Sequence, residues 1–252
     1  MSLLHAALIF TAGVAAGSIN AVVGSGSLVT FPTLVALGYP PVTATVSNTV
    51  GLVPGAIAGA YGYRRELRGQ LGRVLRLVGA SLLGALIGAT LLLRLPEESF
   101  EIIVPALVVI ALVLVVAQPW LNAWLAARRV AHHPHGGPWL WVSVFGCGVY
   151  GGYFAAAQGV ILLALLGIFL ESDLQRVNGV KNVLVGVVNS AAAALFIVTA
   201  QHVNWHVVPL IAVGSTLGGL LGARVGRRLP VAVLRTIIVA VGLLAVGKLI
   251  FA

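Results

Sequence analysis

Two stretches of this chain are the same segment written twice. Residues 80–96, ASLLGALIGATLLLRLP, align without a gap with residues 214–230, GSTLGGLLGARVGRRLP, at a spacing of 134. Nine positions are identical, among them Ser81/Ser215, Gly84/Gly218, Gly88/Gly222 and the closing Arg94-Leu95-Pro96/Arg228-Leu229-Pro230. The same spacing carries Gly17 to Gly151 and Asn48 to Asn182. An apolar chain made of two copies of one unit points to a secondary transporter, whose site lies where the halves meet.

The surrounding composition excludes an ordinary soluble domain. Hydrophobic residues make up 60% and charged residues 8% of the chain, against roughly 25% charged in soluble domains. Apolar runs reach the roughly 20 residues that a membrane-spanning helix needs, so the expected fold is an all-α polytopic membrane protein. The net charge of +9 does not indicate nucleic-acid binding, because the arginines sit in short loops, where they act as topology signals. The single cysteine, Cys147, excludes an internal disulfide and a cysteine metal site. The first apolar stretch lacks a basic leader and reads as a retained helix.

Apolar runs cover 3–23, a short 27–38, 43–63, 72–93 and 100–117, then 139–157, a short 160–170, 177–199, 207–222 and 231–252. Both halves read long, short, long, long, long. This divides the chain into a first repeat over 1–117, a cytoplasmic connector over 118–138 and a second repeat over 139–252. The short runs cannot cross a bilayer at 1.5 Å per residue, so each half is expected to start with a broken or re-entrant helical hairpin. Charge sets direction. Arg64, Arg65, Arg68, Arg73 and Arg76 follow the third run of the first half, while the matching 200–206 loop has no Lys or Arg. The next loops reverse this: Glu97, Glu98 and Glu101 stand opposite Arg224, Arg227, Arg228 and Arg235. Since positive charge stays inside, the repeats are predicted to be inverted, with both termini outside.

The candidate binding groups lie at the breaks. Gly24-Ser25-Gly26-Ser27 precedes the first short run, and Gln158-Gly159-Val160 stands at the same spacing in the second half. Irregular backbone at membrane depth is tolerated where it faces protein or a water-filled cavity. A helix N-terminus there offers unpaired N–H groups and partial positive charge to an anion. Asn48 and Asn182 follow on the next helices, as amides that need partners in hydrocarbon. Lys181, beside Asn182, marks either a substrate path or a side chain snorkelling to the interface. The glycine faces Gly214–Gly226 and Ala80–Gly88 read as helix contacts. His132, His133 and His135 of the connector, and His202 and His206, supply the alternative of a membrane metal-binding or uptake protein. No nucleophile–base motif for a membrane enzyme is present.

Taken together, Gly17–Gly38 with its Gly-Ser-Gly break and Pro32, Ala44–Asn48, Tyr150–Phe154, Gln158-Gly159-Val160, Asn178–Asn182, Val203-Asn204-Trp205 and Gly214–Pro230 resemble the TauE/SafE family of sulfite and organosulfonate exporters. The resemblance covers nearly the whole chain. It implies about eight transmembrane segments in a bacterial inner membrane. It also implies transport of sulfite or a small sulfur-containing organic anion, through a site at Gly24, Ser25, Gly26, Ser27, Asn48, Gln158, Gly159, Lys181 and Asn182. One departure stands out: Ala155, Ala156 and Ala157 occupy the second break, where the family often has glycine. Expected partners are a small anion and the lipid bilayer. A coupling ion (proton or sodium) and a homo-oligomer are left open, and no cofactor or resident metal is expected.

Overall fold

The computed structural model describes residues 1–127, 137–170, 173–199 and 202–225, with isolated positions 236, 239, 240 and 243. Among the described residues there are nine helices and no strand: α1 (Leu3–Val22), α2 (Ser27–Ala36), α3 (Pro41–Gly62), α4 (Leu71–Arg94), α5 (Glu97–Ala127), α6 (Gly137–Tyr153), α7 (Gln158–Phe169), α8 (Leu174–Thr199) and α9 (Val208–Val225). By length and composition, α1, α4, α8, α9 and the Ile103–Trp120 stretch of α5 can cross a membrane. The short runs are separate helices of 10 and 12 residues, α2 and α7. At 1.5 Å per residue each covers roughly half of a hydrocarbon core.

Two expectations shift. Helix α5 runs on to Ala127 with Pro105 and Pro119 inside it, so the segment read as connector is helical over its first half. Residues 128–136 of the connector, including His132, His133 and His135, lie outside the described residues, as does the last expected span at 231–252 apart from those isolated positions.

The helices of the two halves interleave. Helix α1 packs most densely against α9, and α4 against α6. These two pairings are the same pairing under the repeat, each hairpin helix lying on the fourth helix of the other half. Small residues make the approach close. A β-carbon added at Gly218 would land on the Val14 carbonyl, and one at Gly88 on the Val149 carbonyl. Helix α3 adds a second glycine face. Gly51 and Gly55 lie against Ile211 and Ser215, and Ser215 Oγ donates to the Gly51 carbonyl at 3.0 Å.

These contacts also fix the register. Gly17 lies against Ser215 and Gly148 against Ser81, so the structural partner of Gly17 is Gly148 rather than Gly151. Helices α1 and α6 end 131 positions apart, at Val22 and Tyr153, as α2 and α7 start, at Ser27 and Gln158. The fourth helices keep the spacing of 134. The second half therefore carries three extra residues between the start of its short helix and its fourth helix, part of them in the longer α7.

The core divides into two main clusters. One holds Ile9, Ala16, Leu28, Phe31, Ala89, Leu92, Val108, Ala192 and Phe196; the other holds Val74, Leu77, Leu140, Val144, Leu166, Val177 and Leu184. Since α4 and α8 each run from the second cluster into the first, the clusters occupy opposite ends of the bundle. The second break lies at their seam, with Phe154, Ala156 and Ala157 in one and Cys147 and Leu162 in the other.

Placing valine at Gly218 should lower stability by about 1–3 kcal/mol or prevent folding, because its side chain meets the α1 backbone. Gly79→Ala, on the same helix as Gly88 but with open space around it, should be neutral or stabilising. Thermal unfolding in detergent separates the two outcomes.

Two helix breaks that meet: the candidate functional site

A helix that stops inside a bundle leaves carbonyls without partners, and the next helix starts with N–H groups in the same condition. Residues 23–26 separate α1 from α2, and residues 154–157 separate α6 from α7. In the first break Gly24 has φ 93°, a backbone region that glycine enters without penalty. Gly26 sits against the Ala16 carbonyl, where a β-carbon would collide. In the second break Ala155 and Ala157 have φ of 62° and 56°, which costs an L-residue roughly 1–2 kcal/mol each. The Tyr150 hydroxyl donates to the Ala156 carbonyl, and this bond holds the turn. The second break is thus the alanine run itself; Gln158 and Gly159 form the first turn of α7.

The two breaks touch. The Gly159 N–H donates to the Gly24 carbonyl at 2.9 Å, and the α-carbons of these glycines pack so closely that a β-carbon on either would meet the other's backbone. Across the same junction the Phe31 and Phe154 rings meet edge to face, 5.2 Å between centroids. Gly24, Ser25, Gly26, Ser27, Gln158 and Gly159 are therefore brought together.

Side chains of α8 serve the Asn20 and Ala21 carbonyls at the end of α1. Lys181 Nζ donates to the Asn20 carbonyl at 2.7 Å and to the Ala21 carbonyl at 3.4 Å. Asn182 Nδ2 and Asn178 Nδ2 both donate to the Ala21 carbonyl at 3.1 Å. Lys181 is 0% exposed, so it does not snorkel. Its amino group sits at a helix C-terminus, where donors are favourable partners for the open carbonyls. Asn48 stands apart from this group and accepts a hydrogen bond from Thr30 Oγ1 of α2. Asn178, which the sequence offers only as part of the Asn178–Asn182 motif, and Thr30 are not among the expected site residues, although Asn178, Lys181 and Asn182 at i, i+3 and i+4 necessarily share one helix face.

The N–H ends are served differently. Among the described residues, the backbone N–H groups of Ser25, Gly26 and Ser27, and of Ala156, Ala157 and Gln158, meet no acceptor. The Ser25 hydroxyl and both polar atoms of the Gln158 carboxamide are buried without a partner. Gly151 leaves the space that the Gln158 side chain fills. Leaving such groups unpaired costs about 1–3 kcal/mol each, which a ligand that accepts hydrogen bonds would recover. No group of three His, Cys, Asp or Glu able to hold a metal exists among the described residues. His206 belongs to a turn whose N–H is taken by Asn204 Oδ1 at 3.1 Å.

Lys181→Ala should cost about 1–3 kcal/mol, since the Asn20 carbonyl loses its donor. Ala157→Gly should stabilise by about 1 kcal/mol through relief of the left-handed backbone. Unfolding midpoints of the purified variants check both signs.

The family described as sulfite exporter TauE/SafE matches residues 9–249. A probable membrane transporter protein of Haemophilus influenzae is 26% identical over 245 residues, covering 97% of this chain and 94% of that protein. The probable membrane transporter protein YfcA of Escherichia coli K12 is 25% identical over 245 residues, covering 97% of this chain and 89% of that protein. No solved structure matches the chain. With its apolar helices and a family match running almost end to end, this multi-pass membrane protein belongs to the TauE/SafE family of membrane transporters.

Proposed function

We propose that the protein is a secondary transporter of a small anion, either sulfite or an organosulfonate or related sulfur-containing organic anion, working by alternating access. The observation that carries this reading is the junction of the two breaks, where six unpaired N–H groups, the Ser25 hydroxyl and the Gln158 amide are gathered. All but one of these groups are donors only or donate readily, so the junction favours negative charge. Lys181 Nζ, at the end of α1, is a further donor beside them. No Asp or Glu lies between residues 3 and 62 or between 102 and 170 to occupy these donors. A sulfur oxyanion offers several acceptors in a small volume, which suits two facing helix N-termini.

In this reading the two halves are inverted repeats in a bacterial inner membrane, with about eight spans and both termini outside. The apolar clusters at the two ends of the bundle act as alternate seals. Opening one end means moving a hairpin together with the helix of the other half that it packs on. The α3–α8 contact, which the repeat maps onto itself, is a natural pivot. Asn48 and Asn182 then support the breaks, Asn48 through Thr30 and Asn182 through Ala21, rather than gripping the anion.

Radiolabelled sulfite and sulfonate flux in proteoliposomes tests the reading. Gln158→Ala and Ser25→Ala should each raise the half-saturation concentration by about tenfold or more, the usual effect of removing a hydrogen bond to a charged ligand. Saturable flux that neither substitution alters, or no flux of any sulfur oxyanion, would overturn it.

A further inference from the structure

At the far end of α6 from its break, a cleft of about 350 Å³ opens between the start of α4 and the start of α6. Arg76, Leu77, Gly137, Pro138, Trp141 and Val142 line it. Arg76 is exposed and makes no hydrogen bond or ion pair with any described residue. One turn earlier Arg73 lies half-buried and donates to Gln70 Oε1 at 2.9 Å. The preceding loop adds Arg64, Arg65 and Arg68 against a single acid, Glu66. The 128–136 segment that leads into α6 holds two arginines and three histidines and no Asp or Glu, so it cannot neutralise this corner. Among the described residues no acid meets Arg76, and an external anion can supply the charge.

The rest of the cleft is apolar. Trp141 is 39% exposed and stacks on Phe145, and Val142 is 54% exposed. A free anion would satisfy Arg76 and leave those walls unfilled; an amphiphile satisfies both. We propose that this cleft binds an anionic phospholipid, with its phosphate on Arg76 and its acyl chains along the apolar wall. Basic clefts between membrane helices and interfacial tryptophans are suited to such headgroups.

The test uses full-length protein in neutral phosphatidylcholine–detergent micelles. Added phosphatidylglycerol should raise the melting temperature by about 2–4 °C over the same amount of phosphatidylcholine, as expected for a ligand that binds only the folded state. Arg76→Gln should lose most of that increment. Arg64→Gln should keep it, because Arg64 lies outside the cleft, over the Tyr61 ring at 4.3 Å. Glycerol phosphate alone should give no shift. Equal stabilisation by the two lipids, or an Arg76→Gln protein that keeps its increment, would overturn the proposal. So would an equal loss in both arginine variants, which would show diffuse surface charge, or a full shift with glycerol phosphate, which would show a free-anion site.

Discussion

Stopping a helix inside an apolar bundle creates two opposite polar ends within a few residues, and the structure depends on how each is satisfied. Hydrocarbon cannot do it, so every carbonyl and N–H must find protein, ligand or the water of a cavity. Here the carbonyl end of α1 is closed by three side chains of one α8 face, Asn178, Lys181 and Asn182. The N–H ends of α2 and α7 are left open. The imbalance has a sign: what is missing at the junction is an acceptor. That asymmetry, more than any single residue, directs the functional reading toward an anion.

The junction can exist only because both halves let backbones approach. Gly24 and Gly159 meet without side chains between them, and Gly26 lets α2 fold back onto α1. Gly17, Gly88, Gly148 and Gly218 then bring each hairpin helix onto the fourth helix of the other half. Neither half is a closed unit, since each hairpin is held by its counterpart's helix. A displacement at the junction therefore has a rigid route to both ends of the bundle, along α4 and α8. The halves are not identical. Ala44, Ser47 and Asn48 stand where the repeat spacing would place equivalents of Asn178, Lys181 and Asn182, so the lysine clamp exists on one side only.

Much of this was legible in the sequence. The duplicated fourth helices, the two short runs and the Gly-Ser-Gly-Ser break all appeared as spacing and composition, because glycine and run length act locally. Three things were not. The left-handed backbone at Ala155 and Ala157 is imposed by the fold on residues that do not advertise it. The register slips by three because a spacing taken from the fourth helices need not hold in the hairpins. The target of Lys181 is a carbonyl 161 positions away, and no local pattern encodes that. Helix α5 passes its expected end because its two prolines interrupt hydrogen bonds without ending the helix.

The central claim is that the two short helices enter the membrane from opposite sides and meet within it. Labelling with a membrane-impermeant thiol reagent tests it most directly, using single cysteines in a Cys147→Ser background. Pro40→Cys, at the outer end of α2, and Leu174→Cys, just beyond α7, are both exposed positions. In intact cells Pro40→Cys should label and Leu174→Cys should not, with the order reversed in inside-out vesicles. Labelling of both from the same side would contradict the account.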